Sequence, residues 1–518
     1  MALWRRWTEQ VRPFLRTGCH LLAALGCLVS SHAFAAGSAR LSTEDVRWLN
    51  RITYGIDGAT VERYRQLGRK RFLEEQLRPG GLQPAVEVQE AIAGLGISRK
   101  PLEQALAEAE AENRRIQSLP DEEARQQARQ IQNQAANQAA AESARRHLLR
   151  ALWSPAQVRE QMTWFWLNHF SVFQGKGNLR WTVADYEERA IRPHALGRFR
   201  ELVLATLTHP AMLVYLDNVQ SAGGRLNENY ARELLELHTL GVAGGYTQKD
   251  VQELARVLTG VGVNSGQAPK LRPEWQPLYV HAGAFEFNPA RHDFGDKQVL
   301  GTRIPGEGFG EVERVVDLLA AQPATARFVS RRMASYWLGA EPPEPLVEAL
   351  AREFLRTRGD IPAILRVLFA SRPFLASLGH GFRDPMHYVA ATLRLAYDGK
   401  LPLNMGPVIT WLNALGEPLY GHGTPDGYSL STQAWSSPGQ LARRFEIART
   451  IGSGNAGLFD GDDGKPGGGT GFPRLSTRLY YEAVEPLLSP ATLRALDRAS
   501  SQQEWNLYLL ASPEFMAR

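Results

Sequence analysis

Residues 227–260, NENYARELLELHTLGVAGGYTQKDVQELARVLTG, decide how this chain is read. They form a helix rich in Asn, Glu and Arg, a glycine turn, and a second helix opened by the capping box Thr247-Gln248-Lys249-Asp250. In the second helix Val251, Leu254, Ala255 and Leu258 make a core stripe, and Gly241, Gly244 and Gly245 between the helices permit positive φ. Asn227 is placed to cap the first helix, with Glu228 in its first turn favoured by the helix dipole.

At about 100° per residue the first helix separates into two faces. Glu228, Arg232 and Glu236 stand four apart, with Asn229 and Glu233 beside them, while Tyr230, Ala231, Leu234, Leu235 and Leu237 fill the other side. His238 projects among the leucines. A metal pair with Glu236 therefore fails, because helical ligands need a spacing of three or four. Three readings of the polar face stay open: a surface ion-pair ladder, a buried structural network, and an active-site wall.

Outward from this stretch the pattern is predominantly helical. Ser42 is set to cap a first helix that breaks near Tyr54-Gly55, and the helical pattern resumes from Thr60 to Leu77. Residues 101–149, rich in Ala, Gln and Glu and broken at Pro120, predict a long antiparallel helical hairpin inserted in the domain, with a partly disordered insertion the equal alternative for the Gln/Asn/Ala portion. Ser154-Pro155-Ala156-Gln157 carries the cap, N1 proline and capping-box Gln of a new helix. On that helix His169 falls in the stripe of Val158, Met162, Phe165 and Trp166, so it is either a hydrogen-bonded core histidine or the floor of a pocket; Asn168 lies on another face.

Further helices are predicted at 184–193, 199–208, 210–216, 312–319, 324–338, 346–356, 361–370 and 500–510. Phe285-Glu286-Phe287 and Gln298-Val299-Leu300 predict one small β-hairpin around a loop bearing His292 and Asp293. Residues 452–471, with Asp460, Asp462 and Asp463, read as a flexible glycine-rich loop without calcium-loop spacing. The expected class is mainly α: one multi-helix globular domain over residues 36–518.

Residues 1–35 have the form of a cleaved signal peptide. Arg5, Arg6, Arg12 and Arg16 precede a short apolar run and an Ala33-Phe34-Ala35 cleavage pattern. The run is too short for a membrane anchor. The expected location is periplasmic or secreted, with lipid attachment at Cys27 the lesser alternative. Both cysteines, Cys19 and Cys27, leave with that segment, so the mature chain has no thiolate chemistry. The net charge of +5 includes +3 from the segment, leaving about +2 and no basic stripe for nucleic acid.

Five segments together resemble one family. They are LNRITYG at 49–55, WLNHF at 166–170, the central stretch, His292-Asp293-x3-Lys297, and SPEF at 512–515. The chain resembles the DUF1800 family of uncharacterised, mostly exported bacterial proteins. It departs from the family pattern at His238, where Phe is frequent, and at Val261, where Trp is common. The resemblance carries no catalytic assignment. It implies a shared pathway or complex with DUF1501 proteins, which look like phosphatases and sulfatases and whose genes are frequent neighbours.

Three functions follow as alternatives. The first is an exported hydrolase acting on an envelope or extracellular polymer. In it Glu228, Arg232, Glu236, His169, His292 and Asp293 are catalytic, and Asn168, Asn229, Glu233 and Lys297 contact substrate. A divalent metal on His169, His292 and Asp293 is one form of that site. The second is a non-catalytic assembly partner of a DUF1501-type protein, with the hairpin as contact arm. The third is a haem protein, for which no attachment motif is present.

Overall fold

Ser42 accepts a hydrogen bond from the Asp45 amide at 3.1 Å and opens α1 (Thr43–Ile52), the capping role its position predicts. In this computed structural model, which describes residues 41–402, 404–460 and 471–518, the chain then breaks at Gly55. Its φ of +111° and its contact with Ala391 leave no room for a side chain. α2 (Gly58–Leu77) begins before Thr60 because Asp57 caps it by accepting from Thr60 N. The proposed signal peptide at 1–35, and residues 461–470 of the glycine-rich loop, lie outside the described residues.

Two short helices, α3 (Val86–Ala93) and α4 (Gly96–Arg99), lead into the hairpin of α5 (Leu102–Gln117) and α6 (Glu122–Trp153). Gln132 donates to Asn113 Oδ1 across the pair at 3.0 Å. α6 has 32 residues, about 48 Å at the helical rise. Its far half is largely solvated, whereas Ala144, Leu148, Leu149 and Leu152 near its end belong to the main core.

α7 (Gln157–His169) starts two residues later than Ser154-Pro155 predicts. Ser154 is not its cap: the hydroxyl accepts from Ala156 N and donates to Glu160. Gln157 turns back to the Ala151 and Ser154 carbonyls and accepts from Tyr54 N, needs that arise only where these segments meet. Every residue of α7 except Arg159 is buried, so the helix is wrapped on all sides, by α1, α2 and α6 among others.

After α8 (Leu179–Asp185) the helix widens into a π-helical turn, Tyr186–Ile191, before α9 (Phe199–Leu207) and α10 (Pro210–Tyr215). The central stretch supplies α11 (Asn229–Glu233), a second π-helical turn, Leu234–Thr239, and α12 (Gln248–Val257), whose capping box is formed.

The expected single β-hairpin is not made. Its two halves pair elsewhere. β1 (Val261–Val263), β2 (Val280–Ala282) and β3 (Phe285–Phe287) form an antiparallel sheet in the order β1-β3-β2, with Val261 opposite Phe287. β4 (Lys297–Val299) instead pairs with β5 (Thr302–Ile304) across a two-residue turn, Leu300-Gly301, with φ of +50° and +75°. Positive φ at both turn residues matches the twist of the strands, so the local hairpin wins.

The remaining helices follow closely on one another: α13 (Gly310–Ala320), α14 (Pro323–Leu338), α15 (Glu344–Thr357), α16 (Ile361–Ala370) and α17 (Arg372–Ser377). α18 (Pro385–Tyr397) is buried along its whole length. α19 (Gly406–Ala414), α20 (Pro438–Gly452), α21 (Pro490–Asp497), α22 (Gln502–Leu510) and α23 (Pro513–Met516) complete the domain. The protein is mainly α with two small antiparallel sheets. Among the described residues no helix is long and apolar enough to cross a membrane.

Candidate functional site

The polar face of α11 is a half-exposed ladder. Arg232 lies 3.3 Å from Glu228 and 3.8 Å from Glu236, and Gln248 bridges Arg232 and Glu228 at 2.9 and 2.7 Å. Such pairs are solvent-screened and contribute little individually. Asn227 accepts from Asn229 N at 3.0 Å and donates to Asp217 O, while Asn229 donates to Leu216 O. Both amides thus hold the entry to the helix. Glu233 is raised by burial, with the charges of Glu236 and Asp426 adding to it.

Beneath this face the π-helical turn carries His238 into the core, where the helical projection placed it. Neither of its ring nitrogens has a hydrogen-bond partner, and burial, helped by Arg332, pushes it down to about 3. His169 sits beside it within Phe165, Trp166, Phe170, Phe199 and Phe328, its Nε2 donating to His238 O at 3.0 Å. Burial holds His169 well below the usual imidazole range, so it is a neutral core group.

His292 belongs to a different cluster. Its Nδ1 lies 2.8 Å from Thr259 O and its Nε2 2.9 Å from Glu311, whose other oxygen takes the Lys297 ammonium at 2.5 Å. Glu311 also accepts from Glu307 N and Gly308 N. Asp293 is gripped by Arg256 at 2.8 and 3.1 Å, and that contact, against some burial, holds its carboxyl below the usual range. The side chains of His292, Glu311 and Lys297 are fully buried and satisfied. His169 and His292 share no partner. Among the described residues no group of three or more His, Asp or Glu is arranged to hold a metal ion. The proposed catalytic set is therefore spread over three places: the α11 ladder, the His169 core and the His292 clamp.

Asn168 points elsewhere, to a cleft that no sequence pattern marks. Its amide donates to Tyr428 O at 2.9 Å and accepts from Tyr428 N at 2.6 Å, fastening the segment from Pro418 to Trp435 over the end of α7. Close approach of that segment requires Gly427, at φ +74°, because any Cβ there would strike Asn168. The cleft so covered is walled by Trp164, Phe165, Tyr336, Phe382 and Trp435, with Asp384, Glu417 and Arg518 among its polar lining. Its free space, about 20 Å³, accommodates one water molecule.

Two carboxyl groups in this lining are driven in opposite directions. Asp384 caps α18 by accepting from His387 N at 2.8 Å and also meets His387 Nδ1 at 2.7 Å. Burial alone would raise it, but His387 and then Arg518 outweigh burial and hold it well below the carboxylate range. Glu417, 3% exposed, is raised well above that range by burial and then by the Asp384 charge, against a hydrogen bond from Met386 N at 2.9 Å. His387 is pushed down to about 4 by burial and Arg518, against Asp384, with its Nε2 2.9 Å from Gln161. The cleft therefore drives Asp384 toward its ionised form, His387 toward its neutral form and Glu417 toward its protonated form.

Behind it the Arg444 guanidinium lies 4.3 Å from the Phe382 ring and 4.9 Å from Tyr388. Its nitrogens have no hydrogen-bond partner, and it faces the same two carboxyl groups. Both carboxyl groups have a plain local reading in sequence: Asp384-Pro385 as a helix start, Glu417-Pro418 as a turn. That is why neither stood out, although Asn168 did.

The family model DUF1800, described as a protein of unknown function, matches residues 47–517. No curated protein and no solved structure matches the chain.

Proposed function

The chain belongs to the DUF1800 family, whose function is unknown, and we propose that it is an exported hydrolase cleaving an envelope or extracellular polymer by acid–base catalysis at Asp384 and Glu417. The observation that carries this reading is the pair of carboxyl groups lining one cleft with their protonation states driven apart. Such a pair assigns its own roles. Glu417 gives its proton to the leaving oxygen as the bond to it breaks. Asp384, ionised and bonded to His387, takes a proton from the attacking water, whose oxygen forms the new bond.

The cleft has room for one water, so substrate enters when the Pro418–Trp435 segment releases its two hydrogen bonds to Asn168. Asn168 then has an amide free for the substrate, and Trp164 and Trp435 offer flat apolar faces suited to a sugar ring. Export is supported by the basic and apolar pattern of residues 1–35.

The test is hydrolysis of a panel of envelope polysaccharides and their peptide-linked forms by the purified protein, compared with Glu417→Gln and Asp384→Asn. Each variant is expected to lose on the order of 10²–10⁴-fold in kcat with its far-UV circular dichroism unchanged. Hydrolysis by both variants at the parent rate refutes the assignment. Recovery of the protein in the cytoplasm with its N-terminal 35 residues retained refutes export.

A further inference from the structure

A groove on the helical hairpin lies away from the cleft and shares no lining residue with it. Its free space of about 380 Å³ is within the range of a small-molecule site. α5 and α6 form two of its sides, and the residues from Gly177 to Trp181, at the start of α8, form the third.

The chemistry of the lining is one-sided. It holds the carboxamides of Asn113, Gln117, Gln132, Asn133 and Asn178 and no carboxylate. Bonds within the set decide how the amides are turned. Asn113 Oδ1 accepts from Gln132 Nε2 at 3.0 Å, and Asn133 Oδ1 accepts from Arg180 at 3.1 Å. Gln132 Nε2 also donates to Ala109 O at 3.3 Å. Each Asn oxygen must therefore face its donor, which leaves the Nδ2 groups of Asn113 and Asn133 as donors and Gln132 Oε1 as an acceptor for a ligand.

Two further groups give the groove selectivity. Arg180 makes no ion pair among the described residues: its guanidinium donates to Asn137 Oδ1 at 2.7 Å and to Asn133 Oδ1, both neutral. Each terminal nitrogen keeps a second N–H, and no lining acid offsets the charge. The other cation of the lining, Arg129, is already tied to Glu122 at 3.2 Å. Beside Arg180, Trp181 supplies a flat apolar ring that stacks on no other ring among the described residues.

We propose that this groove binds a uronate-bearing oligosaccharide. Its carboxylate lies on Arg180, the apolar C–H face of one sugar ring lies on Trp181, and its hydroxyls meet Asn113, Gln132 and Asn133. Hydroxyls both donate and accept, so a carboxamide lining matches them, whereas an acidic peptide offers neither the hydroxyls nor the flat face. The proposal rests on the hydrolase reading only for its use, which is to hold an acidic polysaccharide while the cleft cuts it.

The experiment is calorimetric titration of the full chain, and of Glu417→Gln, with mannuronate and galacturonate pentamers, cellopentaose and penta-glutamate. Saturable binding of a uronate pentamer near one equivalent is expected, at least ten-fold tighter than cellopentaose or penta-glutamate and equal in Glu417→Gln. Binding is thus read without turnover, and a failed hydrolysis assay leaves it standing. Asn133→Asp, at an exposed position, keeps the acceptor for Arg180 and adds a counter-charge. That variant and Trp181→Ala are each expected to weaken uronate binding at least ten-fold with circular dichroism unchanged. Absence of saturable binding by both uronates, equal binding of cellopentaose or penta-glutamate, or undiminished binding in Asn133→Asp overturns the proposal. Loss of binding in Glu417→Gln would place the ligand in the cleft and overturn it as well.

Discussion

His387 Nδ1 lies 2.7 Å from Asp384 Oδ2, within the first turn of a helix that is buried end to end. That contact keeps Asp384 charged, and the charge in turn helps to keep Glu417 protonated. One capping residue thus adds its charge to the burial that raises a second carboxyl group 33 residues away in sequence.

Glu417 makes stability depend on pH in a definite direction. Its folded pKa lies above its unfolded value, so its contribution is complete below about pH 4.3 and is lost as pH rises through the folded pKa. Glu417→Gln keeps the neutral form at every pH. Its melting temperature should match the parent at pH 4 and exceed it at pH 8, and an equal difference at both pH values in thermal unfolding would show that Glu417 is ionised in the fold.

His238 has the opposite sign. Its folded value of about 3 is below the unfolded one, so its contribution is present above about pH 6.5 and is lost as pH falls toward 3. His238→Phe removes two buried nitrogens without partners, worth about 1–3 kcal/mol each when unsatisfied. Urea unfolding at pH 5 should show the variant at least as stable as the parent. A large loss of stability would mean that the ring nitrogens are used.

The His292 clamp is held by opposite charges away from water. Glu311→Gln leaves the Lys297 ammonium buried without its counter-ion and should cost about 3–5 kcal/mol in urea unfolding. The double change Glu311→Leu with Lys297→Met should recover more than half of that loss. A double variant no better than the single one would point to a role beyond charge pairing.

The α11 ladder is the cheapest feature to remove. Arg232→Ala is expected to change stability by about 0.5 kcal/mol or less and to leave hydrolysis intact. A folded Arg232→Ala protein with more than ten-fold lower turnover would restore this face as the wall of the active site.

Local chemistry was readable and pairing at a distance was not. The Ser42 cap, the Thr247 capping box and the inward projection of His169 and His238 rest on spacings within one or two turns, and all four appear as read. The strand halves at 285–287 and 298–300 were recognisable as strands, but the first pairs with Val261–Val263 far upstream. Ser154 had every local mark of a cap, yet Gln157 was drawn away by carbonyls and an amide from neighbouring segments.

From its own periodicity and punctuation the sequence determines a mainly α chain and most of its helices, because turns, caps and apolar stripes are settled between near neighbours. Only the tertiary structure decides which polar groups share a space. Gln161 and His387 meet across 226 residues, and Asn168 and Tyr428 across 260. The protonation of Asp384 and Glu417 depends on burial and on charges from separate segments, and neither quantity exists until those segments have packed.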